Sequence, residues 1–464
     1  MAKVISQETF DDVVKENMED FDMGVDEAIA DAVTQFESQG VNLLNIIKDP
    51  GMFTNGTGQT NHAVIQALEK VKICVETNTT ENLSDALTIM QTECDEDLAR
   101  RCLAGKNDGY KILMKALNVF KSDSALMEII LTTFCSFVNG QPDLLDEEGV
   151  TFLLNYLTEC SAREKPLVVK LVRLFCIKHE KNRQMLVGNN VIGTLSELLA
   201  NHKSEPELVT EICICLRVLT FDDDVRVPFG KAHDHAKMIV TEGDALKRIV
   251  EISQDYSEDS TVLGEMWSTL ACLVVRDEFC KEVLEMGGLA HIIKSFEKNI
   301  SNKNITRKSL IVMKALAGND NVKVAIVKSG GIELIVTAML RHQSVASIAE
   351  AACATLMTVA LRNPSNSQKI MECNGHQAIV QCMKIHSSVL GVQKQGCMAL
   401  RNIVSRTREY CDSIVELGVE EVINKARKQF IKDLDDEAKA ALRDLGCKVD
   451  LKEQWKGERG SIVH

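Results

Sequence analysis

Apolar residues recur three or four positions apart along most of the chain, in runs that end at one or two small or polar residues. One complete example begins with the apolar run 332–340, which a polar loop separates from a second apolar run at 351–361. A short loop then leads to residues 366–370, which have the pattern Asn-x-x-x-Ile. This spacing predicts units of three helices that carry apolar residues on more than one face. Because such helices are apolar on both faces, neighbouring units must stack to bury them.

The breaks between the runs repeat at nearly constant intervals along the chain. Gly or Asn in the left-handed conformation ends a helix at low cost and lets the chain turn at once into the next helix. The breaks stand at Gly109, Gly149, Asn190, Asp244, Gly288, Gly331, Gly375 and Gly418, with intervals of 40, 41, 54, 44, 43, 44 and 43 residues. A period this regular predicts an array of repeats, and the interval of 54 residues indicates an insertion of about ten residues in one of them.

Composition favours an all-helical chain. Aromatic residues make up 4% of the 464 residues, and there are six prolines. β-Sandwiches and barrels need aromatic and β-branched strands with frequent Gly and Pro turns, so this composition disfavours them. No apolar run reaches membrane-spanning length, and the first residues lack the apolar stretch of a signal peptide. We therefore expect no membrane partner and a cytoplasmic location, with the nucleus as an additional one.

The acidity of the chain is concentrated at its N-terminus. The formal net charge is −14, and residues 1–48 contribute −8 of it through eleven acidic residues and three lysines. An acidic chain binds nucleic acid poorly, because phosphate contacts supply most of that affinity. Nucleic acid is therefore not an expected partner.

Four segments follow from these patterns. Residues 1–48 form an acidic N-terminal segment with two short amphipathic helices at 8–20 and 24–38, residues 49–62 form a linker, residues 63–450 form the repeats, and residues 451–464 form a C-terminal tail. Two short helices need a further surface to be stable, so we predict that the N-terminal segment docks on the repeats. It would either cap the first repeat or compete with partners for the groove. The apolar residues that would dock are Phe10, Val13, Val14, Phe21, Ala28, Ile29, Val33 and Phe36.

Residues 397–404, Cys-Met-Ala-Leu-Arg-Asn-Ile-Val, resemble the third-helix pattern of the armadillo repeat family. The resemblance covers about residues 63–450 in eight or nine units. It implies an all-α fold, a right-handed solenoid of stacked three-helix repeats. A resemblance to one vertebrate branch of the family extends over the whole chain and rests on residues 7–10, 35–40, 141–145, 220–230 and 440–447. Our leading hypothesis for function is a non-enzymatic scaffold or adaptor that binds a protein segment on the solenoid surface.

Armadillo proteins that carry nuclear localisation signals place Trp and Asn one turn apart on each third helix. The Asn side chains clamp the peptide backbone, and the Trp faces hold its Lys and Arg side chains. Here Asn402 alone occupies the Asn position, and Met398 stands at the Trp position four residues earlier. Trp267 is one residue out of register, which is typical of a core residue. A peptide carrier of the nuclear-transport type is therefore a disfavoured alternative.

Four arginines are predicted to share one offset on the third helices. A row of arginines in a groove could bind an acidic peptide, a phosphate group or the acidic N-terminal helices. Alternatively, each arginine forms a salt bridge to a neighbouring repeat, and both possibilities stay open here. With Asn402 added, the candidate residues for partner binding are Arg173, Arg217, Arg401, Asn402 and Arg443.

The insertion follows the third helix that ends near Thr220 and spans residues 221–235. Its carboxylates and imidazoles could bind a divalent metal, which makes a metal site or a metal-dependent activity the alternative function. Alternatively, the carboxylates cap helices and pair with basic side chains, and the loop packs on the repeats or contacts a partner. No metal ligand is assigned, because three adjacent aspartates do not converge on one ion without a special turn. The candidate residues of the insertion are Asp222, Asp223, Asp224, Arg226, His233 and His235.

The sixteen cysteines do not follow a metal-binding or redox pattern. The closest pair, Cys213 and Cys215, is separated by one residue, and there is no Cys-x-x-Cys. We therefore predict buried, reduced thiols that act as small apolar side chains. The sequence contains no phosphate-binding, dinucleotide-binding, zinc-protease or nucleophile-elbow motif. No catalytic residue and no cofactor are expected.

Overall fold

The computed structural model describes residues 3–54 and 62–449. The chain divides into two compact units, Met1–Asp244 and Ala245–His464. None of the helices within the described ranges is both long enough and apolar enough to cross a bilayer.

The N-terminal segment contains the two helices that the sequence predicts, together with two short strands. Its elements are β1 (Lys3–Val4), α1 (Gln7–Asp20), α2 (Val25–Ser38), β2 (Val41–Asn42) and the single turn α3 (Gly51–Thr54). The strands pair in parallel, with Lys3 opposite Val41. The predicted bounds of 8–20 and 24–38 therefore agree with α1 and α2 to within one residue.

These elements bury a small core of their own. The rings of Phe10 on α1 and Phe36 on α2 lie 6.1 Å apart between centroids. The Gln7 side chain fixes the end of the segment, because its Nε2 donates to the Ile47 carbonyl oxygen (2.9 Å) and its Oε1 accepts from the Ile47 amide (2.7 Å). The expectation that all these apolar side chains need the surface of the repeats is therefore wrong, since most of them pack on one another, while Phe21 is exposed.

The remainder of the first unit is built from repeats. The first repeat has two helices and the following repeats have three. The helices are α4 (Ala63–Thr77), α5 (Leu83–Glu96), α6 (Leu98–Lys106), α7 (Gly109–Val119), α8 (Ser124–Val138), α9 (Glu147–Glu159), α10 (Lys165–Cys176), α11 (Glu180–Gly188), α12 (Val191–Asn201), α13 (Pro206–Val218) and α14 (Ala232–Thr241). Among these, α5, α8, α10 and α13 are third helices, and each packs on the next. In the repeat that contains α9 and α10, a 3-10 turn (Pro142–Leu144) takes the place of the first helix.

The second compact unit starts at α15 (Ala245–Asp255). In the order of the chain, α15 is the second helix of the repeat whose first helix is α14. In the last repeat, a 3-10 turn (Arg408–Tyr410) precedes the first helix, which is short. The helices are α15 (Ala245–Asp255), α16 (Ser260–Leu273), α17 (Asp277–Glu285), α18 (Gly288–Lys298), α19 (Lys303–Leu316), α20 (Asp320–Lys328), α21 (Gly331–Arg341), α22 (Ala346–Ala360), α23 (Pro364–Glu372), α24 (Gly375–Ile385), α25 (Leu390–Val404), α26 (Cys411–Val415), α27 (Val419–Gln429) and α28 (Ile431–Asp444). The third helices α16, α19, α22, α25 and α28 again pack successively on one another.

The predicted solenoid of stacked three-helix repeats is thus confirmed. The described residues contain one two-helix unit followed by eight three-helix units, in agreement with the eight or nine units expected from the sequence. The prediction of buried cysteines also holds for most of them, because eleven of the sixteen free thiols are buried.

The turns between first and second helices differ in one detail from the sequence interpretation. In several repeats the left-handed residue precedes the glycine that marks the break, as Gly330 (φ +75°) precedes Gly331 and Asn374 (φ 57°) precedes Gly375. The glycine that follows begins the second helix and packs tightly. A Cβ on Gly331 would lie 2.7 Å from the Ile326 carbonyl oxygen, so any other residue would force neighbouring atoms to move.

The predicted linker and tail are covered only in part. Residues 49–54 include α3, whose Met52 is buried, whereas residues 55–61 and 451–464 lie outside the described residues. The domain boundaries at residues 48, 62 and 450 stay predictions.

Candidate interaction surfaces

The insertion forms a loop at residues 219–231, between the end of α13 and the start of α14. We call these residues the insertion loop. The loop is fastened to α11 by Asp224, a buried residue whose Oδ2 accepts a hydrogen bond from the Glu180 amide (2.9 Å). Its Oδ1 accepts from the Arg226 Nε (2.8 Å). These hydrogen bonds, led by those from Arg226, hold the pKa of Asp224 well below its usual range.

A buried arginine makes the second attachment of the insertion loop. Arg183 on α11 is fully buried, and its Nη1 donates to Asp223 Oδ1 (2.6 Å) and to the Cys176 carbonyl oxygen (3.1 Å). Its Nε donates to Glu180 Oε2 (3.0 Å), and Glu180 is itself buried. The second oxygen of Glu180 accepts from the Lys231 amide at 2.6 Å. Both ends of the loop are therefore bonded to the same turn of α11.

A third attachment reaches the preceding repeat. Arg226 Nη1 donates to Asp143 Oδ1 (2.9 Å), and its Nη2 donates to the Lys178 carbonyl oxygen (3.1 Å). His179 Nδ1 accepts a hydrogen bond from the Asn182 amide (3.1 Å), so the ring proton lies on Nε2. This Nε2 donates to Asp143 Oδ1 (2.8 Å). Hydrogen bonds to Asp224 and Asp143 raise the pKa of Arg226 above its ordinary value. The loop is thus held in one conformation by charge-assisted bonds.

The tip of the insertion loop is apolar and lies in solvent. The Phe229 side chain is 91% exposed and that of Val225 is 83% exposed. Between them, Pro228 is also exposed. A backbone fixed at both ends therefore presents two large apolar side chains to water.

The candidate metal ligands of the insertion do not come together. Asp223 and Asp224 bind arginines, Asp222 and His233 are exposed, and the buried His235 bonds through Nδ1 to the Leu219 carbonyl oxygen (3.0 Å). No group of three or more His, Cys, Asp or Glu side chains arranged to hold a metal ion occurs within residues 3–54 and 62–449. The geometry therefore favours the alternative in which these carboxylates pair with basic side chains and cap helices.

Two of the predicted partner-binding arginines form salt bridges between repeats. Arg173 Nε lies 3.0 Å from Glu211 Oε2 on the next third helix, and Arg401 Nε lies 2.9 Å from Asp444 Oδ2 on α28. Arg443 contacts the same Asp444 at 3.0 Å. Arg217 is half-buried on α13. The salt-bridge alternative left open by the sequence therefore describes Arg173 and Arg401.

Asn402 is engaged with the preceding repeat. Its Nδ2 donates to the Met357 carbonyl oxygen on α22 at 2.9 Å. The amide nitrogen that would clamp a bound peptide in a nuclear-transport carrier is thus used to join two third helices.

One row of charged residues escaped the sequence analysis. It places a charged side chain at the fifth, sixth or seventh residue of eight third helices. The sign alternates from helix to helix within residues 1–244 and again within residues 245–464. Lys394 Nζ lies 2.8 Å from Glu437 Oε1, and Lys308 pairs with Glu265. The signal was available, because the intervals of 42, 41, 54, 43, 42, 44 and 43 residues follow the repeat period. We call this set the charge row: Glu128, Lys170, Glu211, Glu265, Lys308, Glu350, Lys394 and Glu437.

The N-terminal segment lies beside the first three-helix unit. A cavity of about 450 Å³ has Glu8, Asp12 and Lys15 of α1 on one side and Lys106, the last residue of α6, on another. Asp11 of α1 and Met52 and Phe53 of α3 also line it. The acidic face of α1 is therefore close to the start of the repeats, and the predicted docking is compatible with this position.

Stacked three-helix units joined through their third helices define a solenoid protein of the armadillo type. The ARMC6 family model matches residues 64–464, and the model of the Armadillo repeat-containing protein 6 N-terminal domain matches residues 2–63. The chain therefore belongs to the armadillo repeat-containing protein 6 family, as the whole-chain resemblance predicted.

Relatives from distant animals match the chain from end to end. The proteins named Armadillo repeat-containing protein 6 from Homo sapiens and Pongo abelii are each 43% identical over 476 residues, which cover 100% of this chain and 95% of the relative. The Drosophila melanogaster homolog is 40% identical over 466 residues, 98% of each chain.

Solved structures share the fold at low sequence identity. An engineered protein superposes with a TM-score of 0.66 at 18% identity, over 94% of this chain and 98% of its own. A structure described as showing a conserved phosphorylation switch that controls the interaction between cadherin and beta-catenin has a TM-score of 0.59 at 15% identity, over 95% of this chain and 81% of its own. At these identities the likeness shows the fold alone.

Proposed function

We propose that this chain is a non-enzymatic protein-interaction scaffold and that the tip of the insertion loop, Val225 and Phe229, is a principal contact for a protein partner. The observation that carries the proposal is the combination of two highly exposed apolar side chains with a backbone held by buried charged groups. Burying one such side chain contributes about 1.5–3 kcal/mol. Because the loop is ordered before binding, little of that gain is lost to conformational entropy.

The fold supports protein binding by analogy. A solenoid of similar fold is described with a cadherin and beta-catenin interaction, and loops on rigid scaffolds often carry binding residues. The third-helix residues Arg173, Arg217, Arg401, Asn402 and Arg443 stay a prediction for partner binding, and the salt bridges of Arg173 and Arg401 make these two less available. Cytoplasmic location, with the nucleus as a second site, is part of the same proposal.

The test compares tagged full-length chains in quantitative affinity capture. The variant Val225→Ser/Phe229→Ser removes the apolar tip and leaves Asp223, Asp224 and Arg226 in place. The matched control is Ile73→Ser, which changes an exposed apolar side chain on α4. We expect at least one protein to be captured by wild type and control but lost with the tip variant, and purified binding to weaken about tenfold or more.

Equal capture by all three chains would contradict the role of the tip. A variant such as Arg401→Ala/Asn402→Ala then distinguishes the third-helix residues from the insertion. If neither variant alters any captured protein, the scaffold proposal itself loses its support.

The metal-dependent alternative has its own test. Zinc or manganese is titrated by calorimetry into the wild type and into the variant His233→Ala/His235→Ala. If the insertion binds a metal, the wild type shows a heat of binding that is absent from the variant. Because Asp223 and Asp224 are committed to arginines, we expect the two titrations to be the same.

A further inference from the structure

A small cavity lies between the last two repeats of the second compact unit, where α24 and α25 meet α27. Its volume is about 250 Å³. Met383 near the end of α24 and Val422 and Ala426 of α27 give it apolar walls, and Gln393 of α25 also lines it. We call this cavity, defined by these four residues, the repeat cavity.

Gln393 is buried and carries an oxygen without a hydrogen-bond partner. The side chain is 1% exposed, and its Nε2 donates to the carbonyl oxygens of Met383 (2.9 Å) and His386 (3.0 Å). Because these two carbonyl oxygens can only accept, the orientation of the amide is fixed, and Oε1 cannot change places with Nε2. No donor among the described residues lies at hydrogen-bond distance from Oε1. A buried acceptor without a donor lowers the stability of a fold.

The fold itself does not require a polar side chain at this position. Gln393 is the fourth residue of α25, and the fourth residue of each of the other third helices named above is also buried. One of these is Thr306, whose hydroxyl donates to the Ile300 carbonyl oxygen (3.2 Å). The others are apolar: Ala86, Met127, Val168, Val209, Leu263, Ala349 and Leu434. A ligand that donates to Oε1 would explain why this repeat differs from the rest.

The chemistry of the repeat cavity restricts the ligand. A lysine or arginine side chain would bury its charge against a single neutral acceptor, which is costly. An amide side chain brings two donors and an acceptor, and one oxygen satisfies only one of them. Tyrosine carries a single hydroxyl at the end of an apolar ring. Because about 250 Å³ is less than the roughly 300–1,000 Å³ of small-molecule sites, the size favours one side chain of a larger partner.

We propose that the repeat cavity binds a tyrosine side chain of a protein partner, whose hydroxyl donates to Gln393 Oε1. The ring lies between the apolar walls, and three exposed charged residues border the cavity: Lys384, Glu421 and Lys425. An apolar centre with a polar rim is typical of protein interfaces. In naming a protein partner this inference rests on the scaffold proposal, but it does not involve the insertion loop. Its test uses small probes and no partner protein, so its failure and that of the scaffold proposal are distinguishable.

The experiment follows the methyl resonance of Met383 by NMR in the full-length chain with isotope-labelled methionine methyl groups. Met383 packs closely on α25, since a Cβ on Gly396 would lie 2.6 Å from its Sδ. The substitution Met383→Leu assigns the resonance. The probe is para-cresol, which is the side chain of tyrosine without its backbone. We expect a saturable shift, and we expect toluene, which lacks the hydroxyl, to bind about tenfold more weakly through the loss of one hydrogen bond.

Two variants show where the preference for the hydroxyl arises. Gln393→Met removes the acceptor and introduces the residue that α8 has at the same position, Met127, so para-cresol and toluene should then bind equally. Val422→Phe fills the cavity from its half-buried wall and should abolish binding of both probes, which keeps the test decisive if Gln393→Met does not fold. The control Ile73→Phe changes an exposed side chain on α4 and should leave both affinities unchanged.

Four results would overturn the proposal. The first is a wild type that binds para-cresol no better than toluene, and the second is a preference for para-cresol that survives in Gln393→Met. N-acetyl-L-tyrosinamide represents tyrosine within a peptide and should shift the Met383 resonance in the same way. Binding of para-cresol without binding of this compound would identify a free phenol as the ligand. Tighter binding of indole than of para-cresol would exclude tyrosine, because the indole N–H lies on the flank of its ring.

Discussion

Glycine at the first position of a second helix serves close packing. A Cβ on Gly331 would lie 2.7 Å from both the Ile326 carbonyl oxygen and its Cγ2 atom. Glycine inside a helix is normally less favourable than alanine by about 1 kcal/mol, but here any added carbon forces neighbouring atoms apart. Whether a glycine-to-alanine substitution raises or lowers the free energy of unfolding therefore depends on the position.

We predict that Gly331→Ala lowers the free energy of unfolding by about 1–3 kcal/mol, the usual cost of overpacking. The matched control is Gly188→Ala at the end of α11, where an added Cβ would have no atom within 4 Å. The control should be neutral or slightly stabilising. Thermal unfolding followed by circular dichroism measures both, and an equal effect of the two substitutions would contradict the packing explanation.

The carboxylate of Asp224 makes the attachment of the insertion loop depend on pH. Arg226 holds the pKa of Asp224 below its value in the unfolded chain, which is about 3.9. A lowered folded-state pKa means that the carboxylate stabilises the fold above the unfolded value and loses that effect as the pH falls through the folded value. The ion pair is therefore fully effective at neutral pH.

We predict that Asp224→Asn lowers the melting temperature by a constant amount between about pH 7 and pH 5, and by progressively less below about pH 4. The neighbouring substitution Val225→Ser is the control, because it changes no titrating group. A difference between wild type and Asp224→Asn that stays the same down to acidic pH would show that the carboxylate charge is not what stabilises the loop.

At the scale of elements, the insertion loop and α11 form one unit through Arg183. The guanidinium is fully buried and contacts Glu180 and Asp223. Removing one partner of a buried ion pair commonly costs about 3–5 kcal/mol, because the other charge is left without compensation. The Lys231 amide donates to Glu180, which Arg183 also contacts, and the Arg226 amide donates to Asp224, the residue next to Asp223.

We predict that Arg183→Met destabilises the chain by about 3–5 kcal/mol and accelerates hydrogen exchange at the amides of Glu180, Arg226 and Lys231. The control Lys111→Met removes a surface ion pair with Asp108 and should leave exchange in the loop unchanged. Unaltered exchange of these amides in Arg183→Met would mean that the loop is held by other contacts.

The sequence could predict the repeats because the same pattern of apolar residues recurs in every repeat. One residue that departs from the pattern therefore does not change the predicted fold. The buried pair of Arg183 and Asp223 could not be predicted in this way, since its members are 40 residues apart and occur once. The strand pairing of Lys3 with Val41 involves two residues per strand, too few for any periodicity. Partner binding by the arginine row stays a prediction. The salt bridges of Arg173 and Arg401 could not be read from the sequence, because their acidic partners are 38 and 43 residues away along the chain.

At the scale of the whole molecule, stability in a stacked array is a sum over repeats and their neighbours. Leu400 is fully buried in α25, which packs on α22 and α28. A cavity at this position therefore weakens one repeat and the interfaces on either side of it before any other part of the array.

We predict that Leu400→Ala costs about 2–5 kcal/mol and that hydrogen exchange increases most in α22, α25 and α28. The helices α4 and α5 provide the internal reference, and their protection should stay the same. Equal loss of protection across residues 62–449 would indicate that the repeats unfold as a single cooperative block.

Buried thiols link the lifetime of this chain to its redox surroundings. Burial raises the pKa of Cys397 to about 12 and that of Cys382 to about 11, whereas an exposed thiol has a pKa of about 8.5. When a repeat opens, the thiolate fraction of such a cysteine rises by about three-hundredfold to three-thousandfold at neutral pH. An oxidant that modifies the opened form prevents it from closing, so a reversible fluctuation becomes permanent loss. In an oxidising solution the lifetime of the folded protein then depends on how often its least stable repeat opens. The free energy of global unfolding no longer determines that lifetime.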